Sequence, residues 1–450
     1  MRDDRSDPPL KDFLVLNDEG RIMDTTQNLN LTDRFKILAP FQIRDFTWLW
    51  IAMATSMLGD GIFLVALPWQ VYELSNTPTA LSMVGLAWTV PMVVFLLFGG
   101  AMSDRLSRRK LMMAAHIMCA VAVGALGLLS ILGMVELWHI AVLVALYGAG
   151  DALFMPAFAS IVPDIVPQRL LVEANSIDRL MQPLAMRFLG PALGGIVVTV
   201  FGAGEAFVID GATFALSAAA LLKMSARPAR KPDAESTSSV LAEIAEGARF
   251  VRSQAWLWAT MVAGGIAMLV FWGPYEVLIP YLIKNQYGGS PGDFGAVLAM
   301  GGVGSIVAAL WISQRGLPRR SVTFMFIGFA VAFLAVGAYG IATATWHALI
   351  ASLFVGGLMA GAMIVWTTLQ QRLVPSTLLG RVSSLDWFVV SVPVPLSFAL
   401  TGPVSAWLGE GTTLVVAGVF GFVIHIAFLF IPGVRDPETV EDRREIPVVA

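Results

Sequence analysis

Cysteine is almost missing from this chain: Cys119 stands alone in 450 residues, so no intrachain disulfide framework or cysteine-rich metal centre can form. The four histidines are scattered and show no zinc spacing. Charge is scarce as well, with Asp, Glu, Lys and Arg together at 14%, where an ordinary soluble chain carries about a quarter. The sequence has no nucleophile–base set and no phosphate-cradling loop, which argues against an integral membrane enzyme and against any cofactor. Nothing points to nucleic acid. The net charge of −3 is uninformative, because the few charges fall in short clusters and must be judged loop by loop.

Between those clusters lie apolar runs. Residues AVILMFWYC make up 57% of the chain and mean hydropathy is +0.74. The runs are long enough to cross a hydrocarbon core about 30 Å thick as helices. They predict spans near 46–72, 80–102, 111–133, 138–160, 176–200, 205–224, 256–283, 293–313, 321–342, 346–370, 384–408 and 412–432. Gly and Pro inside them are compatible with bilayer helices. Lys and Arg gather in alternate loops, at Arg105, Arg108, Arg109 and Lys110, at Arg169, Arg227, Arg230 and Lys231, at Arg249 and Arg252, at Arg315, Arg319 and Arg320, and at Arg372 and Arg381. The opposite loops hold a single basic residue, Lys284. Basic loops stay on the cytoplasmic side, so both termini are expected there, in a multi-pass protein of the cell (inner) membrane. Residues 1–44 lack an apolar h-region and are expected to be a cytoplasmic extension rather than a signal peptide.

The two halves of the chain match at a shift of 208 residues. Trp48-Leu49-Trp50 returns as Trp256-Leu257-Trp258, Trp138-His139 as Trp346-His347, and Val166-Pro167 with Ser176 and Asp178 as Val374-Pro375 with Ser384 and Asp386. Each repeat holds six spans and starts on the same side, so the expected fold is an all-α membrane protein with twelve transmembrane helices in two parallel-topology six-helix halves. The expected organisation is a bundle over 45–224, a linker over 225–255, a second bundle over 256–432 and a cytoplasmic tail over 433–450. Within the linker Val240, Leu241, Ile244, Ala248 and Val251 recur near helical spacing, which predicts an amphipathic helix on the membrane surface.

Gly100-Ala101-Met102-Ser103-Asp104-Arg105-Leu106-Ser107-Arg108-Arg109-Lys110 stands between the second and third spans. It resembles the loop signature of the major facilitator superfamily, with Ser107 where that family usually has Gly. The second half keeps a worn copy, Ser313 to Arg320, without the acid. By resemblance, Gly100, Asp104, Arg105, Arg108 and Arg109 form a cytoplasmic gate in which Asp104 engages the start of span eleven near Ser383 and Ser384. A carboxylate there favours the positive end of a helix dipole, and the arginines can pair with acids on the facing half. Gly190-Pro191-Ala192-Leu193-Gly194-Gly195 is similar to the core of the family's span-five antiporter signature, although Met186 replaces its first Gly. Gly190, Pro191, Gly194 and Gly195 would permit close packing and a bend. Span four has no embedded Arg of the kind many proton antiporters carry.

Charges inside spans are costly, about 2.5–3.5 kcal/mol at mid-bilayer on insertion scales, and are therefore candidates for function. Asp60, Asp151 and Arg187 fall near mid-span, Glu276 and Asp210 in outer thirds. In the major facilitator fold spans one, four, seven and ten line the cavity, which assigns Asp60, Asp151 and Glu276, with Arg187, to proton coupling or substrate charge. Asp60 is alternatively half of a fixed pair with Arg187. Asp210 is expected in a structural pair. Trp272, Tyr275, Trp366, Trp387 and Phe388 are candidate cavity aromatics for a lipophilic substrate.

Further wording narrows the resemblance. Ile43-Arg44-Asp45-Phe46 through Gly59-Asp60, Ala66-Leu67-Pro68-Trp69-Gln70, Pro156-Ala157-Phe158, Glu173-Ala174-Asn175-Ser176 and Phe207-Val208-Ile209-Asp210 resemble the bacterial macrolide-efflux and enterobactin-exporter branch. That resemblance implies a secondary transporter that works as a monomer in the lipid bilayer and exports a small molecule, namely a lipophilic drug, secondary metabolite or siderophore, in exchange for protons. The alternatives are a non-transporting sensor or scaffold of the same fold and a small-molecule uptake carrier.

Overall fold

The computed structural model describes residues 36–105, 107–225 and 240–438. The N-terminal extension before residue 36, the linker over 226–239 and the tail from 439 onward lie outside the described residues. After a 3-10 turn at Lys36–Gln42 come twelve helical spans. The first half holds span one, Arg44–Leu74, span two, Pro78–Arg105, span three, Arg108–Ile131, span four, Leu137–Ile165, span five, Gln168–Val200, and span six, Ala203–Leu222. The second holds span seven, Ala255–Asn285, span eight, Pro291–Arg315, span nine, Ser321–Ile341, span ten, Thr345–Leu373, span eleven, Ser376–Leu408, and span twelve, Glu410–Leu429. No strand occurs among the described residues.

Packing repeats as the sequence does. In the first half span two packs on four, three on six and on four, and one on five and six. In the second half eight packs on ten, nine on twelve and on ten, and seven on eleven and twelve. The halves meet where five crosses eight and two crosses eleven. An even number of spans leaves the beginning and end of the described chain on one face, called the terminal end below; the opposite face is the far end.

The repeated Trp-His pairs have a physical role at helix starts. Trp138 lies tilted against His139 with centroids 3.7 Å apart, and Trp346 against His347 at 3.6 Å. His139 Nδ1 accepts from the Glu136 backbone N–H at 3.1 Å, and His347 Nδ1 from that of Thr343 at 3.4 Å. Each ring thus satisfies a donor that the helix leaves unpaired at its start. Spans six and twelve both follow a tight turn at a glycine with positive φ, Gly202 at 111° and Gly409 at 84°, a conformation that a Cβ would disfavour. At the terminal end the linker helix, Val240–Ser253, packs on span eleven through Gly247 against Arg381, whose guanidinium bonds Glu246 at 2.5 Å. The side chains of Val240, Leu241 and Ile244 lie outside the described residues.

Candidate functional site

The far end is sealed between the halves. The Tyr72 hydroxyl of span one donates to the Val277 carbonyl of span seven at 2.6 Å, and the Lys284 ammonium donates back to the Tyr72 carbonyl at 2.6 Å. Asn76 and Asn285 exchange side-chain amide hydrogen bonds at 2.6 and 3.1 Å. Lys284 also stands 5.6 Å from the Trp69 ring centre, in cation–π range. The one basic residue of the far loops is therefore a clasp between halves. In the turn after span seven Tyr287 donates to the Tyr339 carbonyl, and burial pushes its hydroxyl up to about 12.

The span-five glycines build the seam beneath this seal. A Cβ on Gly190 would stand 2.6 Å from the Gly61 Cα, and one on Gly194 2.9 Å from the Ile62 Cα, so both touch span one of the same half. Gly195 faces the other half: its Cβ would lie 3.1 Å from the Cα atoms of both Gly292 and Gly295 in span eight. Pro191 presses its ring against Gly61. Replacing Gly190 with Val should therefore cost about 1–3 kcal/mol through overpacking, read as a lower melting temperature of the purified protein; an unchanged temperature would contradict the contact.

Two unusual backbone segments carry two of the candidate charges. Arg187 lies in a π-helical stretch, Gln182–Leu189, and Glu276 in another, Pro274–Leu278. Each stretch begins beside a proline, Pro183 or Pro274, and is followed by Pro191 or Pro280. Proline removes a backbone donor and crowds the preceding carbonyl, and a widened turn relieves that crowding. Such turns are frequent at functional sites. Arg187 is exposed, with its backbone carbonyl against Gly302 of span eight, and Glu276 is half-buried. The Arg187 charge acts on Glu276 across the seam, and both act on Tyr275, which stacks on Phe271 at 5.0 Å.

Asp60 and Asp151 belong to a separate constellation inside the first half. Both are half-buried. The Tyr147 hydroxyl donates to Asp60 Oδ1 at 2.6 Å, and Tyr147 precedes Asp151 by one turn on the same face of span four. Asp210 is fully buried at 0% exposure, with Oδ1 near the Thr213 hydroxyl at 3.3 Å. The expected structural pair of Asp210 is not present among the described residues: its neighbours are Thr213, Gly59 and the charges of Asp60 and Asp151. Nor does an Asp60–Arg187 ion pair occur among the described contacts: Asp60 takes the Tyr147 hydroxyl, and the Arg187 charge acts on Glu276.

The two described arginines of the loop signature make their contacts within the first half. Arg108 pairs with Asp164 and donates to the Ser160 carbonyl at 2.8 Å, both in span four. Arg109 donates to the Leu221 and Leu222 carbonyls at 2.8 and 2.7 Å, closing the C-terminal end of span six. These arginines thus tie the start of span three to spans four and six of their own half. The side chains of Gly100, Asp104 and Arg105 lie outside the described residues. Among the aromatics, Tyr275 sits by the seam and Trp272 is half-buried beside Phe271. Trp366 offers no free face: it is 5% exposed, packs edge-on to Trp256 and donates its indole N–H to Asp386 at 2.9 Å. Trp387 and Phe388 are exposed on span eleven.

Sequence reasoning passed over Tyr147, although its i, i+4 spacing to Asp151 was a usable signal. It also missed Tyr72, Asn76 and Asn285, which carry no pattern that marks a seal.

Residues 36–443 match the family model described as transmembrane secretion effector. The chain is 28% identical over 402 residues to the multidrug efflux pump Tap of Mycolicibacterium fortuitum, covering 86% of this chain and 95% of that one. It is 27% identical to the enterobactin exporter EntS of Citrobacter koseri (84% and 89% covered) and 21% identical to macrolide efflux protein A of Streptococcus pyogenes (87% and 96% covered). A solved POT family transporter superposes with a TM-score of 0.69 at 11% identity, covering 86% of this chain and 95% of that structure, which shows a shared fold.

Proposed function

We propose, from the premise that the chain belongs to the transmembrane secretion effector family of major facilitator transporters, that it exports a lipophilic small molecule in exchange for protons. The activities of its relatives, multidrug efflux, macrolide efflux and enterobactin export, support the direction and the breadth of substrate class. The segregation of Lys and Arg to the terminal-end loops supports placing both termini in the cytoplasm of a bacterial inner-membrane protein. In that orientation the conformation is sealed toward the outside, so a single chain would load substrate from the inside.

The observation that carries the reading is the unclosed pair of Arg187 and Glu276. Two charges of opposite sign stand on widened turns, one in each half, near enough for the Arg187 charge to act on Glu276, and no ion pair joins them among the described contacts. A substrate group or a proton on Glu276 changes what Arg187 attracts, and so biases how the halves approach. A ligand shifts such an equilibrium only by binding the two states differently, and a site made from both halves has that property. Asp104 and Arg105, in the loop signature, would act when the cytoplasmic side closes.

A strain lacking the gene should become more sensitive to at least one compound in a panel of macrolides and lipophilic cations, or should retain a secreted siderophore. The wild-type gene should restore the phenotype, and Glu276→Gln should lose most of the restoration at equal membrane abundance. Full restoration by Glu276→Gln would overturn the assignment of the seam as the transport site. A lipophilic substrate finds Tyr275 and Trp272 within the same turn as Glu276, which fits an aromatic surface beside a charge.

A further inference from the structure

Four polar or ionisable side chains from three spans meet in the first half with no cation among them. Span one brings Asp60, span four Tyr147 and Asp151, and span six Asp210. Glycines make the approach possible. Gly59, next to Asp60, has no side chain, and a Cβ there would collide with Asp210 Oδ1 and the Thr213 hydroxyl. Gly150, next to Asp151, lies against Cys119 of span three. Asp60 takes the Tyr147 hydroxyl, and Asp210 keeps one carboxylate oxygen, Oδ2, buried without a hydrogen-bond partner.

A buried carboxylate oxygen with no donor is costly to charge in apolar surroundings. With Asp210 fully buried and Asp60 and Asp151 half-buried beside it, ionising all three carboxyl groups without a counter-charge is unfavourable. The elements around them supply none among the described residues. Span three offers Cys119 and, one turn nearer the terminal end, His116, whose Nδ1 lies 2.6 Å from the Ser217 hydroxyl and whose ring stacks on Phe154. Span five offers Arg187, whose charge acts on Glu276 of the other half. Span two, packed on span four, brings Trp88 against Gly148.

The fold itself does not require these acids. At the shift of 208 residues Asp60 corresponds to Met268, Tyr147 to Val355 and Asp151 to Met359. Spans six and twelve start at Ala203 and Glu410, one residue closer in register, which sets Asp210 against Ala417. The second half thus closes the same helix packing with apolar side chains throughout.

We infer that Asp210 is a third functional acid and that Asp60, Asp151 and Asp210 act as one proton-holding unit, with Tyr147 positioning Asp60. The inference deepens the proton-exchange reading above and rests on it for its role in transport. The unit is distinct from the Arg187–Glu276 seam, so coupling protons and substrate charge occupy different places. Protonation needs no other reactant: a proton arriving from water adds to one carboxylate oxygen of the unit and leaves by the same bond.

Infrared difference spectroscopy of the purified full chain, stepped in pH and with no substrate present, reads protonated carboxyl groups directly. The wild type should show a carboxyl carbonyl band that titrates with pH. Asp210→Asn, nearly isosteric and able to keep the Thr213 contact, should weaken that band and displace the midpoint of what remains by about one pH unit, a tenfold change in proton affinity. Asp151→Asn should produce a displacement of similar size, which also serves if Asp210→Asn does not fold. A band and midpoint unaltered by either substitution would overturn the inference and assign Asp210 to packing. Because the measurement uses no transport, a displaced midpoint in a protein that moves no compound would leave the unit standing and remove the export reading instead.

Discussion

Asp60→Asn should reduce export driven by a pH gradient to background while leaving downhill exchange of substrate measurable. Asp60 accepts the shortest hydrogen bond described for the acid unit, from Tyr147 at 2.6 Å, and it lies on span one, which packs against both span five and span six. Asn keeps the size of the side chain and can still accept from Tyr147, so the variant should insert and fold; what it loses is the ability to take up and release a proton. Tyr147→Phe removes one hydrogen bond to a charged group, worth about 1.5–3 kcal/mol, and should slow coupled export by roughly tenfold or more without abolishing it. Since the Arg187 charge meets Glu276, Arg187→Gln should not rescue Asp60→Asn. Gradient-driven export at the wild-type rate in Asp60→Asn, or rescue by Arg187→Gln, would refute the assignment and restore a fixed Asp60–Arg187 pair.

Removing the clasp at the far end should have the second largest effect. The double variant Lys284→Ala with Asn285→Ala deletes the hydrogen bond to the Tyr72 carbonyl and the amide exchange with Asn76. Both side chains reach solvent, Asn285 more than Lys284, so the pair of interactions is worth about 1–2 kcal/mol rather than the full value of buried bonds. That energy favours only the conformation sealed at the far end, and its loss should shift the balance of conformations about 5- to 30-fold toward the open one. Distances between spin labels placed on the outer ends of spans one and seven would report the shift as a new long-distance population. An unaltered distance distribution would mean that the glycine seam of Gly195 with Gly292 and Gly295, rather than the clasp, holds the far end closed.

The membrane spans were legible because their signal is additive: about twenty apolar residues in succession outweigh any single Gly, Pro or charge. The internal repeat was legible because Trp138-His139 and Trp346-His347 do the same job at the same place in each half. Rotation about each helix axis was not. A soluble helix marks its buried face with an apolar stripe, but a span that meets lipid on one side and protein on the other is apolar all round. Trp366 and Trp387, both on predicted spans, therefore looked equally fit to line a cavity, yet one is 5% exposed and the other 63%. The same limit hid the grouping of the charges. Depth placed Asp60 and Arg187 side by side, whereas azimuth sends Asp60 to Tyr147 and Arg187 to Glu276. The π-helical turns under Arg187 and Glu276 were half visible, since Pro183, Pro191, Pro274 and Pro280 announced a disturbance without telling its kind. Lys284 stood out as the sole basic residue of its side, and only the three-dimensional contact with Tyr72 explains why it is there.

The most direct test of proton-coupled export is flux in proteoliposomes made from the purified full-length chain, with a pH gradient imposed across the membrane and a panel of macrolides, lipophilic cations and enterobactin supplied one at a time. The expected result is accumulation of at least one compound against its concentration gradient, accompanied by proton movement in the opposite direction and abolished when an ionophore collapses the gradient. Movement of no compound would contradict the account and favour a sensor or scaffold of the same fold. Accumulation in the same direction as the protons would contradict it in favour of uptake.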